Sequence, residues 1–301
     1  MTRMWDGLLL VDKQTGPTSH DVVQNVRRLT GLRRVGHAGT LDPLASGLLP
    51  VLLGRATRLA RFLPQSPKRY EGRLRLGVTT ETDDVTGTET SRFTGPLPGA
   101  PEVAEAAAGL LGSYSQVPPS FSARKVGGKR LYRLARRGIR VEAPPRTVRV
   151  ARFAVLPGGD EPEDYGFEAE VSGGTYVRAL VRDLGARLGC GATMVTLRRT
   201  AIAGLFPSPV LRFGTDCSPD RDELENHLIP LEAMPLDAPR LHLITSESVR
   251  RFIAGVAQPV AQATIADGFC AVLDAEEHLL GVGELTAGVI QPRVVLAART
   301  T

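Results

Sequence analysis

Asp42 is the side chain of this 301-residue sequence whose setting most invites chemistry. It stands between Leu41 and Pro43-Leu44, in a segment that begins Gly36-His37-Ala38-Gly39, so its carboxylate is held against apolar neighbours. Desolvation alone favours the neutral acid, and a carboxylate that must stay charged therefore needs a cation beside it. Arg178, at the foot of a helix that follows Gly173-Gly174-Thr175-Tyr176-Val177, is a candidate for that cation. A carboxylate kept ionised in this way suits nucleophilic or charge-stabilising work. The simpler readings stay open at this point: Asp42 capping a turn before Pro43, and Arg178 as an ordinary surface arginine. Other chemistries find little support. Cys190, Cys217 and Cys270 are far apart with no C-x-x-C pair, and the five histidines show no i, i+4 spacing, so neither a disulfide framework nor a metal site is expected.

The elements that must position Asp42 and Arg178 follow from periodicity. Gly7 to Lys13 reads as a strand, and Thr18 or Ser19 can cap a helix carrying Val22, Val23, Val26 and Leu29 to Gly31. Val35 to Pro43 reads as a shaped loop, and Leu48 to Leu53 as a buried strand. From Tyr70 to Val78 apolar and charged residues alternate as in a half-buried strand. A helix is expected over Pro101 to Gly112 and another around Arg130 to Arg137. Tyr165 to Val171 reads as a strand, Thr175 to Leu188 as a helix and Met194 to Leu197 as a strand. The mixture implies an α+β or mixed α/β fold. Residues 211–239 are acidic and proline-bearing, as expected of a linker between a domain at 1–210 and a small unit at 240–301. In that unit a helix from Ser246 to Ala254 precedes three short strands, the pattern of a small β-barrel.

Charge points outward. Composition is that of a globular chain with a net charge of +5, yet Ser120 to Arg152 alone carries eleven basic residues against Glu142, or +10, leaving the remainder at −5. Acids that could pair with these at helical spacing are missing, so the segment is expected to meet a polyanion, RNA or DNA, rather than to form a solvated helix face. No run is long and apolar enough for a signal peptide or membrane span, and a cytoplasmic protein with no membrane association is expected.

Gly36-His37-Ala38-Gly39-Thr40-Leu41-Asp42-Pro43-Leu44-Ala45-Ser46-Gly47-Leu48-Leu49-Pro50 resembles the catalytic motif of the bacterial TruB family of tRNA pseudouridine synthases. So, in order, do Lys68-Arg69-Tyr70, Leu76 to Gly87, Pro118 to Lys125, Arg130 to Gly138 and Gly174 to Arg178, over about residues 5 to 210. The resemblance implies a pseudouridine synthase fold, with a central mixed, mainly antiparallel sheet and a small C-terminal PUA-like barrel. It implies isomerisation of the T-loop uridine of tRNA, position 55, to pseudouridine without cofactor or metal; a monomer is expected. Carried over by motif, Asp42 acts on the target nucleotide, as nucleophile or by assisting glycosidic cleavage. Arg178 pairs with Asp42, and Tyr70 stacks on the uracil. His37 fills space left by the flipped base, Tyr176 and Leu197 line the pocket, and Lys13 supports the loop beneath. The basic insertion at about 120–152 grips the T arm, with Arg124, Lys125, Lys129, Arg130, Arg133, Arg136 and Arg137 on the RNA backbone. Gln14 stands where the family commonly has proline, freeing a torsion that proline fixes, and Ser46 replaces a common threonine. The alternatives are a non-catalytic RNA-binding or tRNA-folding protein and a guide-RNA-dependent synthase.

Overall fold

The computed structural model describes residues 5–119, 121, 125–126, 129–130, 143–158, 161–260 and 265–296. Two compact units emerge, one formed by Met1–Asp42, Leu49–Pro64 and Pro207–Thr301, the other by Pro43–Leu48 and Gln65–Phe206.

In the first unit β1 (Gly7–Lys13) is buried along almost its whole length. Helix α1 (Ser19–Thr30) starts at Thr18, whose hydroxyl accepts from the Asp21 amide while the Asp21 carboxylate accepts from the Thr18 amide, and ends at Gly31 with φ +74°. The cap and the Gly31 stop are those expected, with Thr18 rather than Ser19 as the cap; the reciprocal Asp21 bond adds a capping box. Val35–His37, expected as loop, is a short strand, β2. It pairs antiparallel with the end of β3 (Ala45–Leu53), Val35 facing Leu53 and His37 facing Val51.

The acidic segment at 211–239 carries structure of its own. Here β13 (Arg212–Phe213) runs parallel to β1, α4 (Arg221–Asn226) buries Leu224, and β14 (Ile229–Pro230) runs antiparallel to β1. Beyond it β15 (Arg240–His242), β16 (Gln258–Pro259), β17 (Gly268–Leu273), β18 (Leu279–Thr286) and β19 (Val289–Val295) form a sheet of order β15-β17-β18-β19-β16. Strand β17 has both faces covered. Ala271 and Leu273 join Leu52, Leu59 and Phe62 in one core, while Cys270 and Val272 pack with Phe252 of α5 (Ser246–Ile253) in another.

The second unit is a sheet in which β4 (Lys68–Leu76) lies between β12 (Ala192–Ile202) and β11 (Asp164–Val171), antiparallel to both. Next to β11 come β10 (Arg146–Pro157) and β7 (Gly112–Gln116), again antiparallel. The first residues of β3 run parallel to β12, with Ala45 opposite Leu197 and Gly47 opposite Arg199. Gly47 is required there: its φ is +98°, and a Cβ would sit 2.2 Å from the Arg199 carbonyl oxygen. Several strands of this unit were not expected, β7 and β10 among them. Helix α2 (Ala100–Ala108) stops short of Gly112, whose φ of +90° opens β7, and β10 begins inside the basic stretch. Helix α3 (Val177–Leu188) follows the Gly173-Gly174 turn as expected. Between β4 and α2, β5 (Val78–Thr80) and β6 (Glu89–Arg92) make a small hairpin, and β8 (Lys125–Val126) pairs with β9 (Lys129–Arg130). Of the helix expected around Arg130 to Arg137, residues 131–137 lie outside the described residues, and Arg130 itself is in a strand.

Candidate active site

Asp42 lies at the end of a loop clamped by its own unit. The Ala38 amide donates to the Pro50 carbonyl at 2.9 Å. Ser19 Oγ accepts from the Leu41 amide at 2.8 Å and donates to the Leu41 carbonyl at 3.0 Å. Ser19 opens α1, so the helix start fixes the residue before the aspartate. The turn leading into that helix is held in turn by Lys13, wholly buried, whose ammonium donates to the carbonyls of Gln14 (2.9 Å) and Pro17 (2.8 Å). Both bonds form with Gln14 in place of the proline common in the family. Asp42 itself is half-buried rather than fully enclosed, a correction to its expected burial: the apolar neighbours Leu41 and Ala45 turn inward, while the carboxylate-bearing residue keeps part of its surface in water. His37 closes β2 and is also half-buried.

In the second unit Arg178 is 5% exposed, on the first turn of α3. Its Nη1 donates to the Thr82 carbonyl at 2.5 Å and lies 3.3 Å from Asp84 Oδ2; its Nη2 donates to the Phe121 carbonyl at 2.9 Å. Asp84, 4% exposed, was not singled out in the sequence. Its Oδ1 accepts from Thr82 Oγ1 (2.8 Å), the Thr86 amide (3.0 Å) and Thr86 Oγ1 (2.5 Å). Threonines two residues either side of an aspartate are the pattern of a side chain that builds its own turn, and that was the available signal. One turn along α3, Arg182 repeats the motif, reaching Asp83 Oδ2 at 3.2 Å and the Val117 carbonyl at 2.8 Å. Burial pushes the Asp83 carboxyl above its usual range, against the pull of Arg182 and Arg178.

Tyr176 caps α3 and is anchored by its backbone. Wholly buried Gln116 accepts from the Tyr176 amide at 2.9 Å and donates to its carbonyl at 3.2 Å. Gln116 also donates to Tyr114 Oη, which donates to Asp183; burial and the Asp183 charge push the Tyr114 phenol strongly up, so it stays a donor. Tyr70, 8% exposed, sits on β4 opposite Ala169 and Arg199, and Leu197 sits on β12 opposite Gly72 and Ala45. Tyr70 and Leu197 thus share one stretch of sheet, as Tyr176 and Arg178 share one helix start.

Of the residues expected on RNA, Arg124, Arg133, Arg136 and Arg137 lie outside the described residues, and Lys125, Lys129 and Arg130 belong to the β8–β9 hairpin. Asp274, Glu276 and His278 approach one another on an exposed turn, where Asp274 Oδ1 already accepts the Glu276 and His278 amides. Among the described residues no helix is long and apolar enough to cross a membrane.

Residues 27–177 match the family model described as TruB family pseudouridylate synthase (N terminal domain), and residues 239–296 match pseudouridine synthase II TruB, C-terminal. The tRNA pseudouridine synthase B of Acaryochloris marina is 42% identical over 97% of this chain and 99% of its own length. That of Thermotoga maritima is 37% identical over 93% of this chain and 90% of its own. Among solved structures, a chain of a Cbf5-Nop10-Gar1 complex superposes with a TM-score of 0.70 at 26% identity, covering 98% of this chain and 86% of that one. A chain of the archaeal box H/ACA sRNP Nop10-Cbf5 complex gives 0.68 at 23% identity over 98% and 88%, a likeness of fold.

Proposed function

The chain belongs to the TruB family of pseudouridylate synthases, and from that premise we propose that it converts the T-loop uridine of tRNA, position 55, to pseudouridine. The reaction breaks the bond between ribose C1′ and uracil N1, turns the base, and joins C1′ to uracil C5. The C5 proton is lost and N1 gains one, so atoms and electrons balance within the substrate. None of this can happen to a base stacked in a folded loop, and the uridine must first be flipped out.

In this reading Asp42 acts at the glycosidic carbon, and Arg178 pairs with it and keeps it ionised. Tyr70 stacks on the extruded uracil, Tyr176 and Leu197 line its pocket, and His37 takes up space the base vacates. The basic segment, through Arg124, Lys125, Lys129, Arg130, Arg133, Arg136 and Arg137, holds T-arm phosphates. The C-terminal unit, expected at 240–301, serves as the PUA-like RNA-binding unit. The enzyme works as a cytoplasmic monomer.

The observation that supports this most is the setting of Arg178. A buried guanidinium fixed by the Thr82 and Phe121 carbonyls and by Asp84 is oriented before any substrate arrives. A guanidinium carries five N–H donors, more than the Thr82, Phe121 and Asp84 contacts occupy. The neighbours found in Cbf5 complexes raise the guide-dependent alternative. Identity of 42% along 97% of the chain to a tRNA pseudouridine synthase B favours a self-sufficient enzyme instead.

The test is to incubate the purified protein, with EDTA and no added cofactor, with an unmodified T-arm stem-loop and to map pseudouridine by mass spectrometry. Product at the T-loop uridine is expected. Tight binding without product would contradict the proposal and move the protein to the non-catalytic or guide-dependent class.

A further inference from the structure

Lys68 begins β4 two residues before Tyr70, so the two side chains leave the same face of the strand. The register adds Arg199, opposite Tyr70 on β12, to that face. Val171 on β11 and Ile202 on β12 flank Lys68 itself. The charged residues that alternate with them along β4, Arg69 and Glu71, point to the other face, where Arg69 pairs with Glu170. Lys68 therefore stands partly buried between apolar neighbours, and among the described residues no hydrogen bond or ion pair reaches its ammonium. Among the described residues the charge acting on it is the like charge of Arg199, itself 1% exposed and donating to the Leu48 carbonyl.

An ammonium withdrawn from water, without an acid and next to a second cation, is costly unless an anion arrives. We propose that Lys68 is a substrate-binding residue whose ammonium receives a phosphodiester flanking the flipped uridine, beside the base held on Tyr70. This inference rests on the reading given under Proposed function, since it takes Tyr70 as the platform for the base. It assigns a role to the first residue of the Lys68-Arg69-Tyr70 motif. Arg199, also on that sheet face, is anchored to the Leu48 carbonyl, whereas among the described residues Lys68 has no such anchor and is the group an incoming phosphate would satisfy.

Burial, with Arg199 adding to it, brings the Lys68 ammonium down to about 8, so the free protein holds the charge at neutral pH and loses it just above. A bound phosphate favours the protonated form. Affinity should therefore fall as pH rises through about 8, and that limb should be missing without the lysine.

The experiment measures equilibrium affinity for the T-arm stem-loop between pH 7 and 9.5, for wild type and Lys68→Gln. It is repeated on stem-loops carrying one neutral methylphosphonate linkage, placed 5′ or 3′ to the target uridine. One of the two linkages should weaken wild-type binding by about tenfold to a hundredfold, the range for losing a charge-assisted hydrogen bond. The same linkage should change Lys68→Gln binding by less than about twofold, and only wild type should show the limb near pH 8. Excess inorganic phosphate should compete with the stem-loop for wild type only. Equal sensitivity of both proteins to both linkages, or an unchanged affinity in Lys68→Gln, would overturn the proposal. The neutral-linkage arm on wild type needs no variant to fold. Pseudouridine formation on the unmodified stem-loop, scored in parallel, separates this result from the fate of the function itself: no product there sinks the function, whereas the affinities still decide the role of Lys68.

Discussion

The start of α3 and the start of β4 each bury a cation, and they treat it in opposite ways. Arg178 meets partners ready in the fold: Asp84, whose Oδ1 accepts from Thr82 and Thr86, and the carbonyls of Thr82 and Phe121. Lys68 meets a hydrophobic wall and Arg199. The first is machinery fixed in advance, whose burial is compensated within the protein. The second carries an uncompensated cost in the free protein, tolerable only where a ligand repays it. A site that must both orient a carboxylate and recognise a polyanion has reason to contain one of each.

Three substitutions sharpen or break that contrast. The largest effect is expected from Arg178→Met, which strands Asp84 in a buried site; losing one partner of such a pair costs about 3–5 kcal/mol of stability. Turnover should fall far more than tRNA affinity, and an equal loss of both in steady-state and binding measurements would show that Arg178 serves RNA binding instead. Lys68→Met should have the opposite sign. Because the folded-state value lies below the unfolded one, the penalty is fully present below about pH 8 and is relieved as pH rises toward 10.5. The variant should therefore be the more stable protein at pH 7, by on the order of 2 kcal/mol in urea unfolding, with the gap closing above pH 8. A less stable variant would mean that the ammonium is already satisfied. Smallest is Ser19→Ala, which removes neutral hydrogen bonds to Leu41. It should cost about 1 kcal/mol, with a reduced kcat and a nearly unchanged Kd for tRNA. No change in kcat would mean that the Asp42 loop holds its shape without the clamp.

How far the sequence could be read varies along the same lines. Asp42 stood out because glycines, a proline and leucines around a carboxylate are local signals, and α1 was legible because a capping Thr18, an apolar face and a terminating Gly31 follow one another along the chain. Asp84 was not, because Thr82-Asp83-Asp84 looks like an exposed polar turn until α3 is packed over it; only tertiary structure buries it. Gln116 was hidden for the same reason, its partner Tyr176 lying far along the chain. Lys68 was within reach. Extending the alternation of Tyr70, Gly72, Leu74 and Leu76 back by two residues puts it on the inward face. Strand β10 was masked by its own arginines, which occupy outward positions while Val148, Val150 and Phe153 point in. The half-exposure of Asp42 is a matter of loop path that neighbouring residue types could not reveal.

The most direct measurement is a single-turnover assay of wild type and Asp42→Asn on an unmodified T-arm stem-loop at saturating enzyme, with pseudouridine mapped by mass spectrometry and RNA affinity measured alongside. Wild type should convert the T-loop uridine, while Asp42→Asn should bind as well and turn over at least about 10⁴-fold more slowly. Comparable rates in the two proteins, or product from neither, would contradict the assignment of Asp42 to the chemistry.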